Sequence, residues 1–347
     1  MIHTPDFTRA DHVITQGLRE NAYTAACLLV GRGERVLHRR AFGRTGMEDD
    51  CPMTNEQTRF DLASITKPLV TGMLALRALE AGKLCLSDRL DTFFDAPEDK
   101  AGITIEQILT HTAGFPSGLH LWEMPKDADA AQLILDTPLA SAPGTRVIYG
   151  CAGYILLGQL LECLYNLELS ALAEQEIFWP LKMRRTGYLP QDGNIAATEM
   201  QDDGRCLQGV THDENTRFLG GVAGNGGVFS TMDDLALFMQ MLASEGGLPG
   251  GGRYLSRSTV RMALRDRGMG RSLIFQLPSL ERGYTGDLFP METVGHTGFT
   301  GVSVTLDPTT GLYVVFLTNR ICPSRDSVGI YRIRRLLHNA VYAACEV

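Results

Sequence analysis

The chain is 347 residues long, 44% apolar and 21% charged, a balance that excludes disordered and fibrous classes. That length holds one large domain or two, with ample material for a buried core. The net charge is −8 with no dense run of Lys or Arg, which argues against nucleic acid or an anionic membrane and leaves a small-molecule substrate as the expected partner.

Residues 1–20 include Pro5, Asp6, Arg9, Asp11 and Glu20 and no continuous apolar core, so no signal peptide is read. No stretch reaches the ~18 apolar residues of a membrane span. The eight cysteines, at positions 27, 51, 85, 151, 163, 206, 322 and 345, show no Cys-x-x-Cys pair and no zinc-type spacing. Several, such as Cys27 and Cys163, sit in apolar surroundings and read as reduced core residues. The expectation is a cytoplasmic protein that needs no metal or organic cofactor.

In chain order, Asp6 to Glu20 is predicted as a short helix, and Ala25 to Val30 as a strand buried on both faces. A turn at Gly31-Arg32-Gly33-Glu34 leads into its hairpin partner, Arg35 to Gly43. A helix is predicted to begin around Ser64 and Pro68, because Leu69, Val70, Met73, Leu74, Leu76 and Leu79 form a helical stripe that Gly82 ends. Thr104-Ile105-Glu106-Gln107 resembles a capping box opening a helix to His111. Further helices are expected over 127–136, 153–167, 170–178 and, from a looser box at Thr231, to Ser244-Glu245. Strands are expected at 270–277, 301–307 and 312–318, then an amphipathic helix over 328–344 with Arg332, Arg334 and Arg335 reaching solvent. Strands at both ends with helices between them predict an α+β fold. An antiparallel sheet would come from 1–60 and 265–347, flanked by helices, with 61–264 an inserted, mainly helical domain and a cleft at the seam. The glycine-rich stretch 220–227 lacks the strand–GxGxxG–helix setting of a dinucleotide site and reads as loop.

Three short segments carry chemistry. In Ser64-Ile65-Thr66-Lys67-Pro68, Pro68 is tolerated only in a first turn, which places Ser64 near the positive end of the helix. Ser64 and Lys67 then share a face. A serine is a poor nucleophile until a base takes its proton, and a lysine can be that base only if its surroundings lower its pKa. Tyr149-Gly150-Cys151 precedes a helix start, where the Tyr149 phenol could shuttle a proton. His296-Thr297-Gly298-Phe299 would line a ligand, with the N–H of Phe299 a second oxyanion donor beside that of Ser64. Taken singly, Ser-x-x-Lys is a short pattern, Tyr149 an ordinary half-buried tyrosine and His296 a satisfied loop histidine.

Together and in this order, Ser64-Ile65-Thr66-Lys67, Tyr149-Gly150-Cys151 and His296-Thr297-Gly298 resemble the serine β-lactamase and penicillin-binding protein superfamily. Within it, the resemblance is to the class C β-lactamase-like branch, which includes carboxylesterases and D-alanyl-D-alanine carboxypeptidases. Leu109 to Phe115, Val210 to Asn215 and Gly220 to Thr231 support it, over roughly residues 10–340. The resemblance implies a β-lactamase/transpeptidase-like fold, with Ser64 as acylated nucleophile, Lys67 as its base and Tyr149 as proton relay. His296, Thr297 and Gly298 would form the substrate-binding strand, and the Ser64 and Phe299 N–H groups the oxyanion hole.

Two positions depart from the family pattern. Cys151 stands where an Asn is usual, and a thiol is weak both as donor and as acceptor. His296 stands where a Lys is usual, which suggests a charge that varies near neutral pH. Both favour an esterase over a D-Ala-D-Ala carboxypeptidase or a weak class C-like β-lactamase. A non-catalytic ligand-binding descendant is the remaining class, and the absence of Gly-x-Ser-x-Gly argues against an α/β-hydrolase.

Overall fold

In the computed structural model, which describes residues 5–191, 193–278 and 284–346, two apolar strands from opposite ends of the chain pair at the centre of one sheet. These are β1 (Ala25–Arg32) and β5 (Leu312–Thr318), antiparallel and in register at Leu29 and Val315. β2 (Arg35–Gly43) closes one edge. β4 (Ser303–Asp307) and β3 (Val294–Thr297) extend the other, giving the antiparallel order β2-β1-β5-β4-β3.

The apolar run in β1 exists because both of its faces are covered. Ala26, Leu28 and Val30 join the core formed with α1 (Thr8–Arg19) and the C-terminal helix α5 (Gly329–Glu346). Ala25, Cys27 and Leu29 join the larger core, which includes α4 (Met232–Ala243) and reaches into the helical region. Leu28 and Leu29 are both fully buried, which contributes roughly 2 kcal/mol each.

Helices dominate the middle of the chain. α2 (Met73–Glu80) and α3 (Ala152–Tyr165) pack there, and Asn166 ends α3 in the left-handed conformation at φ 49°. The capping box at Thr104 forms in full, its hydroxyl accepting from Gln107 N–H while Gln107 accepts from Thr104 N–H. Thr231 likewise caps α4 by accepting from Asp234 N–H.

Several expectations are corrected. The helix around Ser64 is not one helix: a 3₁₀ turn at Ala63–Ile65 gives way to a wide π-type turn at Lys67–Gly72, and regular α-geometry starts only at Met73. Pro68, which has no N–H to donate, sits in the widened part. The segment 270–277 is not a strand; the Ser272 hydroxyl accepts the Phe275 N–H and bends it sharply, so only Arg271 and Gln276 bridge. His296, which taken singly reads as a loop histidine, lies with Thr297 on a strand of its own, β3, and Gly298 falls just past its end. Arg334 is buried, 4% exposed, while Arg332 is exposed as expected. Cys163 is exposed, although Cys27, Cys322 and Cys345 are buried; all eight cysteines are free. A helix at Arg257–Leu264 and a small sheet of Phe60–Asp61, Val228–Ser230 and Gly187–Tyr188 had no clear sequence signal. Among the described residues, no single helix is long and apolar enough to cross a membrane.

Candidate active site

The short strand Phe60–Asp61 delivers the chain to Ser64 through a constrained corner. Ala63 adopts φ 44°, a conformation that costs an L-residue about 1 kcal/mol or more and persists only when its surroundings enforce it. Asp61 is what enforces it. One of its carboxylate oxygens accepts Ala63 N–H at 2.8 Å, the other accepts His212 N–H at 2.6 Å, and its main-chain carbonyl accepts the Thr300 hydroxyl at 2.6 Å. Burial pushes the Asp61 carboxyl up, against the pull of those two N–H groups. Asp61 thus ties the nucleophile turn to the 212 segment and to the turn after β3.

Lys67 is fully buried. Its Nζ lies 2.9 Å from Ser64 Oγ, 3.0 Å from the Asn225 carbonyl and 3.8 Å from Cys151 Sγ. The glycine-rich loop at 220–227 exists to bring that carbonyl in: Thr71 donates to Gly224 O at 2.6 Å, and any side chain at Gly224 would strike the Tyr154 carbonyl. Burial lowers the Lys67 pKa, but Cys151, Tyr149 and Asp213 together outweigh it and the net shift is upward. The lowered pKa that would make Lys67 a free base is therefore absent from the resting site, and the side chain is held as an ammonium.

Tyr149 stands over this group, its ring centroid 5.3 Å from Lys67 Nζ, and is 41% exposed to the cleft. It lies between two imidazoles, with His111 4.6 Å away and His296 5.9 Å away, centroid to centroid. Both histidines have pKa values well below the usual range, through burial first and then the positive charges of Arg271 and Lys67. His296 is 3% exposed and donates through Nδ1 to Thr297 O at 2.9 Å. The variable charge expected of His296 is corrected: it is a neutral imidazole.

Gly298 brings β3 against the nucleophile turn, and Phe299 follows it. The Gly298 and Gly301 N–H groups bond within the turn, to Val302 O and Gly298 O, whereas Phe299 N–H has no main-chain partner there. The Phe299 ring stacks on His212 at 5.5 Å and against the Arg320 guanidinium at 4.5 Å. Ser64, Tyr149, Cys151, His296, Thr297, Gly298 and Phe299 all line one cleft of about 460 Å³, with Lys67 beneath its floor.

Sequence reasoning passed over Asp61, Asn225 and Arg320. Asp61 stood three residues before the nucleophile and Asn225 within the glycine-rich loop, so position was the only available signal. His111 stacks on Tyr154 and lies tilted against Tyr149, directly behind the site. No group of three or more His, Cys, Asp or Glu side chains among the described residues gathers as metal ligands.

Comparison with known proteins places this geometry. The β-lactamase family model matches residues 10–338. A putative D-alanyl-D-alanine carboxypeptidase of Escherichia coli K12 is 29% identical, covering 86% of this chain and 79% of its own. An N-acetylmuramyl-L-alanine amidase of Bacillus subtilis 168 is 26% identical, covering 91% and 81%. Among solved structures, EstCE1, a hydrolase with promiscuous acyltransferase activity, superposes with a TM-score of 0.77 at 23% identity, covering 96% and 97%. The protein belongs to the β-lactamase family, within the fold that serine β-lactamases, penicillin-binding proteins and related serine hydrolases share.

Proposed function

We propose that this protein cleaves a carboxylic ester through an acyl-enzyme on Ser64. The observation that carries the reading is the 2.9 Å contact of Lys67 Nζ with Ser64 Oγ at the floor of an open cleft. Ser64 Oγ attacks the ester carbonyl carbon, and the N–H groups of Ser64 and Phe299 receive the charge that develops on the carbonyl oxygen. Because Lys67 is already an ammonium, the serine proton is relayed through the Tyr149 hydroxyl, with Lys67 the fixed positive charge beside it. Tyr149 returns that proton to the departing alcohol. It then takes one from the water that attacks the acyl-enzyme, and the carboxylic acid leaves as Ser64 regains its hydrogen.

Two residues favour an ester over a peptide or β-lactam. A neutral His296 is no anchor for a carboxylate at the strand position where the family pattern has Lys, and the Cys151 thiol is a weak partner for an amide side chain. A second reading, a carboxypeptidase of the D-alanyl-D-alanine type, is supported by the name of the Escherichia coli relative. One panel separates them: short p-nitrophenyl esters, nitrocefin and an acyl-D-Ala-D-Ala peptide, each with wild type and Ser64→Ala. The ester reading expects turnover of the esters above the other two, abolished by Ser64→Ala. Peptide turnover exceeding ester turnover would favour the carboxypeptidase. No acyl adduct from any of them would indicate a binding protein.

A further inference from the structure

Two thiols meet beside the segment that supplies Arg320 and Arg325 to the cleft. Cys206 Sγ and Cys322 Sγ lie 3.8 Å apart, although 116 positions separate them in the chain. Cys322 is buried and Cys206 partly exposed. The thiols of Cys27, Cys51 and Cys151 instead meet oxygen or nitrogen: the Asn55 carbonyl, the Glu48 carboxylate and the Lys67 ammonium. Main-chain bonds hold the pair in place. Cys206 bridges Met200 across a turn in which Gln201 N–H donates to Arg205 O at 2.8 Å and Leu207 N–H to Glu199 O at 3.1 Å. Met200 N–H in turn donates to Pro323 O at 2.8 Å, and Cys322 N–H to Asn319 O at 2.8 Å. The same turn carries Glu199, whose carboxylate reaches Arg325 at 2.7 Å and His212 at 2.8 Å, both of them cleft residues.

Bringing the two sulfurs to the ~2.05 Å of a disulfide takes a movement of under ~2 Å, which the exposed turn at 201–205 can supply. The two thiols also differ in the way that exchange chemistry requires. Burial raises both, Cys322 to about 12, so the partly exposed Cys206 is the one that meets a reagent from solvent. Cys322 has only to reach Cys206, which it already touches. We propose that Cys206 and Cys322 form a thiol–disulfide exchange site, at which a small disulfide of the glutathione type converts the pair into a reversible internal disulfide that locks the 199–207 turn onto the 322–325 segment. The Cys206 thiolate attacks one sulfur of glutathione disulfide, and the first glutathione leaves as a thiolate that takes up the Cys206 proton. Cys322 then attacks Cys206 Sγ, and the second glutathione departs with the Cys322 proton. Two protein thiols are oxidised and one glutathione disulfide is reduced to two thiols. The new bond closes a long loop and so restricts the unfolded chain, while Ser64, Lys67 and Tyr149 keep their positions. Oxidation therefore acts on the stability of the cleft wall and leaves the chemistry at Ser64 unchanged.

The test incubates the folded wild-type protein with glutathione disulfide in mildly alkaline buffer, blocks the remaining thiols with iodoacetamide and maps the peptides by mass spectrometry. The expected product joins the Cys206 and Cys322 peptides, lighter by two hydrogens than their reduced sum, and dithiothreitol reverses it. Its Tm rises by about 5 °C, a gain absent from Cys206→Ser treated in the same way. Cys322→Ser is expected to stop at a glutathione adduct on Cys206, whereas Cys206→Ser leaves Cys322 unmodified. The wild-type peptide map decides by itself should Cys322→Ser fail to fold. None of these readouts depends on ester turnover. Both thiols still free after treatment, or Cys206 joined to Cys51 in place of Cys322, would overturn the exchange site. A Cys206–Cys322 link that leaves Tm unchanged or lower would overturn the lock.

Discussion

Gly298 approaches Leu62 so closely that a β-carbon on it would lie 2.5 Å from the Leu62 carbonyl oxygen. That contact sets the strand β3 directly against the nucleophile turn, and with it the spacing between the N–H groups of Ser64 and Phe299. Only glycine allows main chain to pack on main chain at this distance.

Gly298→Ala is therefore expected to displace one oxyanion donor while the sheet survives. Loss of a single such donor costs on the order of 10²–10³ in kcat. Ester turnover by the purified variant, with its circular dichroism unchanged, checks this. Activity within threefold of wild type would show that the Phe299 N–H takes no part.

Lys67 and Tyr149 are expected to act as one unit, a fixed charge and the proton carrier beside it. Lys67→Met and Tyr149→Phe should each reduce kcat by roughly 10²–10⁴, and the double variant should fall little further. Multiplicative losses in the double variant would instead assign the two residues to separate steps.

His338 makes stability depend on pH in a defined direction. It is fully buried between Arg334 O and the Thr305 hydroxyl, and burial pulls its pKa down to about 4 from 6.5. The unfolded chain takes up this proton near pH 6.5 and the folded one only near 4, so between those values unfolding binds a proton. The contribution is complete above pH 6.5 and is lost as pH falls towards 4, amounting to about 3 kcal/mol. His111 and His296 act in the same direction. Urea midpoints measured from pH 7.5 to 5 should fall steadily, with a shallower slope in His338→Gln; identical slopes would contradict the assignment.

Arg271 is a stability liability next to the site. It is 5% exposed, its Nε and Nη2 have no partner, and burial lowers its pKa. Replacing an uncompensated buried charge with an apolar side chain of similar length is expected to stabilise by about 1–3 kcal/mol. Thermal melting of Arg271→Met should show a higher Tm; a lower one would mean that the guanidinium is paired in solution.

The parts of this molecule that were legible in the sequence are those in which local pattern and final environment agree. The β1 run 25–30 is apolar throughout because both faces are buried, and Thr104 with Gln107 forms the box that its spacing suggests. Ser64, Tyr149 and His296 could be linked only through the resemblance, since nothing local connects residues so far apart in the chain. What stayed hidden depends on tertiary contact. Arg334 carries the polarity of a surface residue, yet the turn at Gly301 buries it; Ser272 bends a segment whose composition reads as strand. The electrostatics of Lys67 were likewise invisible, because Cys151 and Tyr149 arrive from a segment some 80 residues away.

The central claim is that Ser64 is the atom acylated. Incubation with a fluorophosphonate, followed by intact-mass and peptide mass spectrometry, tests it most directly. The expected result is one adduct per chain on the peptide containing Ser64, absent from Ser64→Ala. An adduct on the Cys151 peptide, or no adduct on active enzyme, would contradict it.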